Sequence, residues 1–475
     1  MAGCVKTEAG GLASTFCRLA TTTHDGVHWI PISYFILYPV LAGDADNLDA
    51  VNTRVVLISL AVVGVASVLV GCFSRALGAG FWPAMFCSLW IACSQVLVFP
   101  ISTAWGVTNV LPVVFTMSGA WMLWRWLNER DSDDRTNSVR WGLLLGFICF
   151  LTISVLTKET GIRGLVLAAG VFVIVLIYRR ELRYRKEMTA LIGLLLVWVV
   201  GYFLIRYTFT KAAIPLLRYA DVHGYPHMRF RPLINVKNIA TLLLGSINPV
   251  NSYATYLKIV RREYSGAALF LFPAIIWGVV LFSGWLSLIV KGSRENKVTA
   301  IFIAVLLLCS LFPEFLLGRV SEYYAMASLC SLALLSAIIL TFVWAKKSRL
   351  RYVLIPMACL IIVSNISSSR AKVKEILATG QNTHEIVQSM MELTKDLPDG
   401  SKIAVFHKPR SKEAFSRFGA RGITTTGVNY GSVRNVWVLF EFGESIPRPR
   451  EFDLILRESR DQRKLEVVAP DEVDL

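Results

Sequence analysis

The sequence predicts an all-α polytopic membrane bundle of about ten transmembrane helices, followed by a small C-terminal α/β domain outside the cytoplasm. Composition is the first of three observations: 55% of the 475 residues are hydrophobic and 17% are charged, where a soluble protein carries about 25% charged residues. The second is that residues 51–367 form apolar blocks separated by short polar breaks. The third is that alternate breaks are strongly basic.

The apolar blocks approach the length of about 20 residues that a spanning helix requires. They lie at 51–73, 80–98, 103–124, 141–157, 161–178, 188–207, 266–290, 298–317, 323–344 and 350–367. The chain is therefore predicted to have three parts: an external loop with an interfacial helix at 1–50, a transmembrane domain at 51–367 and a soluble extracytoplasmic domain at 368–475. A long external loop at 208–265 interrupts the transmembrane domain.

Basic residues in every second break predict the orientation of the bundle. One set of breaks contains Arg75, Arg125, Arg130, Arg135, Arg140, Arg179, Arg180, Arg183, Arg185, Lys186, Lys291, Arg294, Lys297, Lys346, Lys347, Arg349 and Arg351. The short breaks of the other set contain Lys158, Arg163 and Arg319. Because cytoplasmic loops are enriched in Lys and Arg, we expect both termini to be extracytoplasmic, in a bacterial inner membrane. The net charge of +16 is attributed to these loops, and no nucleic-acid partner is predicted.

Two regions outside the blocks have structural patterns of their own. Residues 29–42 are apolar, with two prolines and four aromatic residues, but too short to span; a helix in the membrane interface and a buried re-entrant segment are both consistent with them. In the tail, residues 370–394 predict an amphipathic helix. The apolar runs at 403–406, 436–440 and 452–456 predict strands of a small α/β module.

The clearest candidate site is the hinge Thr157-Lys158-Glu159-Thr160-Gly161 between two apolar blocks. Charged groups at membrane depth are costly, so they are functional candidates by default. One interpretation is an ion pair between Lys158 and Glu159 that closes the turn. The other is that Lys158 holds a phosphate group and Glu159 sets its position.

The next short external break adds three candidates. Arg319 is a possible anion contact. Glu322 opens a helix, where an acid is favoured by the helix dipole, and Tyr323 suits a membrane anchor. Arg231 lies in the long loop 208–265, whose many basic residues would attract a phosphate-bearing lipid.

The N-terminal region offers a candidate base. Asp25 is the acid nearest to the interfacial segment and is suited to activate a hydroxyl acceptor, although a solvated loop aspartate has the same sequence pattern. His24 and His28 share a four-residue spacing with His223 and His227. Gly26 and Pro226 interrupt the helices that would align these imidazoles. No cofactor is therefore predicted, and a divalent metal is left open.

Three stretches in this order resemble the GT-C-fold membrane glycosyltransferases, which include protein O-mannosyltransferases and lipid A aminoarabinose transferases. Phe150 to Gly161 resembles the "L-S-K-E" hinge of that group. His28 to Gly43, with Asn52 and the first block, resembles its interfacial helix and second helix. Ser321 to Ser328 resembles the "E-R-Y-x-Y-x-P-S" stretch that opens a late helix. The likeness covers about 28–345.

The resemblance implies transfer of a sugar from a polyprenyl-phosphate donor to a protein or glycan acceptor outside the cytoplasm. Lys158, Glu159, Arg319 and Arg231 would bind the donor phosphate, and Asp25 would be the catalytic base. Positioning roles fall to His28, Glu322 and Tyr323, which belong to or border the matching stretches.

The sequence departs from the family at its beginning. The family places a first transmembrane helix before the acidic loop, whereas this sequence starts within that loop, and Asp25 is the nearest substitute for the usual acid pair. We therefore expect either a truncated start or a member that has lost activity. The alternatives from other classes are a lipid or polysaccharide transporter or flippase and an inactive GT-C-like scaffold.

Overall fold

The computed structural model describes most of the predicted bundle and part of the tail. The described residues are 31–33, 36, 48–102, 104–129, 134–178, 182–210, 231–247, 262–317, 322–346, 349–398, 401–407, 436–441, 451–458 and 465–469. Asp25, His28 and Arg319 lie outside these ranges, and of Glu322 and Tyr323 only the backbone is described.

Twelve α-helices account for nearly all of the described bundle. They are α1 Leu48–Ala76, α2 Phe81–Cys93, α3 Val98–Ser102, α4 Ala104–Asn128, α5 Asp134–Thr157, α6 Arg163–Tyr178, α7 Leu182–Thr210, α8 Pro232–Ile247, α9 Tyr264–Lys291, α10 Arg294–Leu311, α11 Met326–Ala345 and α12 Arg351–Thr394. Short 3-10 helices lie at Gln95–Leu97, Glu159–Ile162, Glu314–Leu316 and Glu322–Ala325.

Within the described residues, nine helices are long and apolar enough to cross a membrane, which confirms a polytopic helical bundle. The prediction of a continuous span at 80–98 is wrong. There α2 ends at Cys93, and Ser94 has an extended backbone before the next 3-10 helix. The amide of Gln95, released by the break, donates to Asn365 Oδ1 at 3.1 Å. A long-range polar contact thus satisfies the interrupted backbone.

The broken segment nevertheless runs alongside a full span. The Gly80 amide donates to Thr341 Oγ1 at 2.8 Å, near the end of α11. At the other end, Val96 packs in one cluster with Leu242 and Ala325, which immediately precedes α11. The segment from Gly80 to Val96 is therefore antiparallel to α11 over most of its length. It covers the same depth as a helix of about 30 Å.

Among the nine described candidate spans, helix α11 is the most enclosed, with every residue from Met326 to Ile339 buried. Its buried small residues, including Ala327, Ser328 and Ala333, let neighbouring backbones approach closely, as is usual between helices in a membrane. Gly284 of α9 shows how close this approach is, because a Cβ there would lie 2.7 Å from Ile339.

The described breaks between helices meet at two ends of the bundle. At the first, which we call the basic end, Trp124 Nε1 donates to the Ala76 carbonyl at 3.0 Å. Arg140, predicted as a loop residue, instead lies within α5, where it is fully buried and its Nη2 donates to Glu187 Oε2 at 2.7 Å. The second, which we call the hinge end, contains the turn at Lys158.

The long loop predicted at 208–265 contains a helix that sequence analysis missed. Helix α8 packs against the segment between α10 and α11. The side-chain amide of Asn238 donates to the carbonyls of Phe315 at 3.0 Å and Leu317 at 2.6 Å. The opposite face of α8 is apolar and exposed, since Leu233 is 87% and Val236 64% exposed.

The chain divides into two compact units, of which the bundle described above forms one; the other contains the described residues from 370 onwards together with 48–54. The predicted strands are present as β1 Lys402–His407, β2 Val436–Glu441 and β3 Leu454–Glu458, joined by β4 Leu465–Val467. The sheet order is β2-β1-β3-β4, with β4 alone antiparallel.

Buried apolar residues from β1, β3 and β4 form the small core of this unit, with Ile403 and Leu456 fully enclosed. Leu393 at the end of α12 and Leu397 pack against it. The predicted helix at 370–394 is not separate from the last predicted span, because both belong to α12.

Candidate anion-binding site

A tight turn between α5 and α6 builds the hinge. Helix α5 ends at Thr157, Lys158 is extended, and a 3-10 helix follows at Glu159–Ile162. Amide hydrogen bonds from Lys158 to the Ser154 carbonyl (3.1 Å) and from Gly161 to the Lys158 carbonyl (2.9 Å) close the turn. Only a glycine fits at Gly161, since a Cβ would lie 2.4 Å from the Ser154 carbonyl carbon.

Substituting Gly161 by alanine is expected to destabilise the protein by about 1–3 kcal/mol, the usual cost of forcing an atom into a packed site. The measurement is the free energy of unfolding in detergent. Gly142→Ala is the matched control, because nothing lies within 4 Å of a Cβ at this exposed position in α5. Equal stability of the two variants would contradict the close packing assigned to the hinge.

Lys158 points between two other elements of the bundle. Its Nζ donates to Asn109 Oδ1 on α4. The same ammonium lies 5.5 Å from the ring centroid of Tyr324, in the 3-10 helix before α11. Lys158 remains partly accessible. A neutral amide and an aromatic face stabilise its charge without neutralising it.

Two further cations at the hinge end are neutralised by carboxylates. Arg206 Nη2 of α7 donates to Glu159 Oε1 at 3.1 Å. Arg163 donates to Glu314, and both of these side chains are 2% exposed. Among the residues with described side chains, Lys158 has no carboxylate oxygen within 4 Å. The five charges therefore sum to one positive charge, which is located at Lys158.

Burial lowers the pKa of Lys158 to about 8, although the nearby carboxylates of Glu159 and Glu314 oppose the shift. The ammonium is thus held in a partly desolvated place where its own charge is disfavoured. An anion that enters this place gains a strong electrostatic partner, because charge pairs are screened less there than in water.

The predicted interfacial segment reaches the hinge. Of this segment, residues 31–33 and 36 are described, and they are helical. Ser33 is fully buried, and its hydroxyl donates to the Thr157 carbonyl at 2.6 Å. That carbonyl belongs to the residue immediately before Lys158, so the segment supports the turn that presents the lysine.

Three of the predicted site residues have described side chains, namely Lys158, Glu159 and Arg231. Lys158 and Glu159 share the hinge, with different partners: Asn109 for the lysine and Arg206 for the glutamate. Arg231 is exposed immediately before α8, where its amide donates to Asn235 Oδ1 at 2.8 Å. The functional roles of these residues remain predictions.

Two polar residues of this site were not predicted from the sequence. Asn109 and Arg206 both lie inside apolar blocks, near the ends that face the hinge. The principle that singled out Lys158, namely that polar groups at membrane depth need partners, applies equally to both. Within the described side chains, no group of three His, Cys, Asp or Glu residues is arranged to hold a metal ion.

No family model and no curated protein matches this sequence. Among solved structures, ArnT from Cupriavidus metallidurans in the apo state is similar, with 11% identity over 94% of this chain and 86% of that protein and a TM-score of 0.49. The same protein bound to undecaprenyl phosphate is also similar, with 12% identity over 91% of this chain and 85% of that protein and a TM-score of 0.44.

An oligosaccharyltransferase from Archaeoglobus fulgidus, in complex with Zn and sulfate, is also similar. The identity is 12%, and the match covers 86% of this chain and 53% of that protein with a TM-score of 0.44.

Proposed function

We propose that this membrane protein transfers a sugar from a polyprenyl-phosphate donor to a protein or glycan acceptor on the extracytoplasmic side. The observation that supports the proposal best is the environment of Lys158. This partly buried cation contacts the side-chain amide of Asn109 and the ring of Tyr324, and neither contact neutralises its charge. An ammonium in such a place suits a phosphodiester, which carries one negative charge. The hinge end is then the extracytoplasmic end, consistent with the basic residues at the opposite end.

The proposed reaction breaks the bond between the sugar C1 and the phosphate oxygen, while an acceptor oxygen or nitrogen forms a new bond to C1. The acceptor proton passes to a base, for which Asp25 is the proposed residue. The leaving polyprenyl phosphate gains a second negative charge, and Lys158 stabilises it, since fixed cations act where charge develops. Arg231 and Arg319 are proposed to guide the donor phosphate to the lysine.

A transfer assay tests the proposal directly. The full chain in membranes is mixed with a polyprenyl-phosphate donor labelled in its sugar, and release of label from the lipid is followed. We expect release that depends on the protein and produces polyprenyl phosphate in equal amount. Binding of the donor without turnover would instead favour an inactive scaffold, and movement of intact donor between leaflets would favour a flippase.

The pH dependence of donor binding follows from the depressed pKa of Lys158. The ammonium is present below pH 8 and is lost above it, whereas a phosphodiester keeps its charge throughout. Donor affinity is therefore expected to be constant up to about pH 7 and about tenfold weaker at pH 9. Isothermal titration with the donor lipid measures this.

Lys158→Arg is the matched control for the pH profile, because arginine stays charged across this range. Its donor affinity should not change between pH 7 and 9. A similar decline in both proteins would show that another group titrates.

A further inference from the structure

A groove on the surface between α1 and α4 lies towards the basic end, away from Lys158. It has a volume of about 470 Å³, and its lining includes Ala61, Gly64, Val68, Cys72 and Trp121. All of these side chains are apolar or weakly polar. The stretch from Ala61 to Cys72 is about 16 Å long at 1.5 Å per residue, close to half of the roughly 30 Å hydrocarbon core of a bilayer.

A second pocket, with charged residues in its lining, continues the groove at its basic end. It has a volume of about 310 Å³, shares Trp121 with the groove, and is also lined by Trp124, Arg125, Asn128 and Glu129. Arg125 lies in the last turn of α4 and Glu129 directly follows the helix, and both residues line the pocket, so it has one basic and one acidic residue in its lining. Tryptophans at this position are typical of the boundary between hydrocarbon and headgroups.

We propose that the groove and the pocket together bind one phospholipid with a zwitterionic headgroup that contains a primary amine. One of the two acyl chains occupies the groove, because the groove is apolar and about as long as one leaflet, and the other chain faces the bilayer. The phosphate contacts the guanidinium of Arg125, and the headgroup ammonium contacts the carboxylate of Glu129. An anionic headgroup without an amine would satisfy Arg125 but would be repelled by Glu129. The site is independent of the proposed transfer reaction.

Native mass spectrometry of the full chain in detergent tests the proposal with two lipids that have identical acyl chains. We expect phosphatidylethanolamine to bind about fivefold more tightly than phosphatidylglycerol, the effect of about one surface charge. Glu129→Gln should abolish this preference, because the repulsion of phosphatidylglycerol is removed. Arg125→Ala should weaken the binding of both lipids by a similar factor.

The groove has its own variant and matched control. Gly64 has nothing within 4 Å of a Cβ, so Gly64→Leu would fill the groove without disturbing the packing and should weaken both lipids. Gly193→Leu places the same side chain at an equally open, exposed position on α7 and should leave lipid binding unchanged. Equal affinities for the two lipids, tighter binding of phosphatidylglycerol, or equal effects of the two glycine substitutions would each overturn the proposal.

Discussion

Lys158→Ala is expected to lower kcat/KM for sugar transfer by about 10²–10³-fold, the usual effect of removing one preorganised group that stabilises developing charge. The substitution deletes a positive charge that, among the described side chains, has no carboxylate oxygen within 4 Å. The fall should be larger in kcat than in donor affinity, because the leaving phosphate carries more charge than the bound donor. Initial rates of label release at several donor concentrations separate the two effects.

Lys291→Ala is the matched control for this variant. Lys291 is exposed at the end of α9, on the break assigned to the opposite side of the membrane, so its removal should change kcat/KM less than twofold. Lys158→Arg should retain part of the rate, since charge persists although the geometry differs. Unchanged transfer by Lys158→Ala would sink the role assigned to the lysine.

Glu314→Ala is expected to destabilise the protein by about 3–5 kcal/mol, because it leaves the guanidinium of Arg163 buried without its carboxylate. Both side chains are 2% exposed, and Arg163 also donates to the Thr160 carbonyl at 2.9 Å within the hinge. Loss of the pair therefore affects the turn that carries Lys158. The free energy of unfolding in detergent, from a denaturant titration, measures the effect.

Two variants distinguish a buried unpaired charge from simple loss of contact. In the double variant Arg163→Met/Glu314→Leu both charges are absent, so most of the stability should return. Glu295→Ala removes an exposed acid in the first turn of α10 and should cost less than about 1 kcal/mol. If the double variant is as unstable as Glu314→Ala, the cost does not arise from the unpaired arginine.

The bundle could be predicted from the sequence because hydrophobic length is a local property. The break within the predicted span 80–98 could not be predicted, since a hydropathy average does not depend on where the backbone hydrogen bonds are made. The backbone amide that the break leaves without a helical partner, that of Gln95, donates to Asn365, which is 270 positions away in the sequence. Helix α8 was missed for a related reason: its sequence is too short to span, and its stability depends on contacts with residues that follow much later.

The residues of the candidate site also differ in whether local sequence reveals them. Lys158 and Glu159 were recognisable because two charges stand between apolar blocks. Their partners Asn109 and Arg206 come from other helices. The helix that a single polar residue inside an apolar block contacts cannot be predicted from the local sequence. Arg140 illustrates the converse error, because a residue assigned to a loop by its charge is buried against Glu187.

The contacts of α8 have a consequence for the order in which the protein assembles. In the segment after α10, the carbonyl groups of Phe315 and Leu317 accept hydrogen bonds from the side-chain amides of Asn235 and Asn238 on α8. Ribosomes produce α8 before this segment, so its donors precede the acceptors that need them. The last helices of the bundle are thus expected to insert against α8, which is already present in the membrane. A substitution that disrupts α8 should therefore impair the insertion of the helices that follow α10.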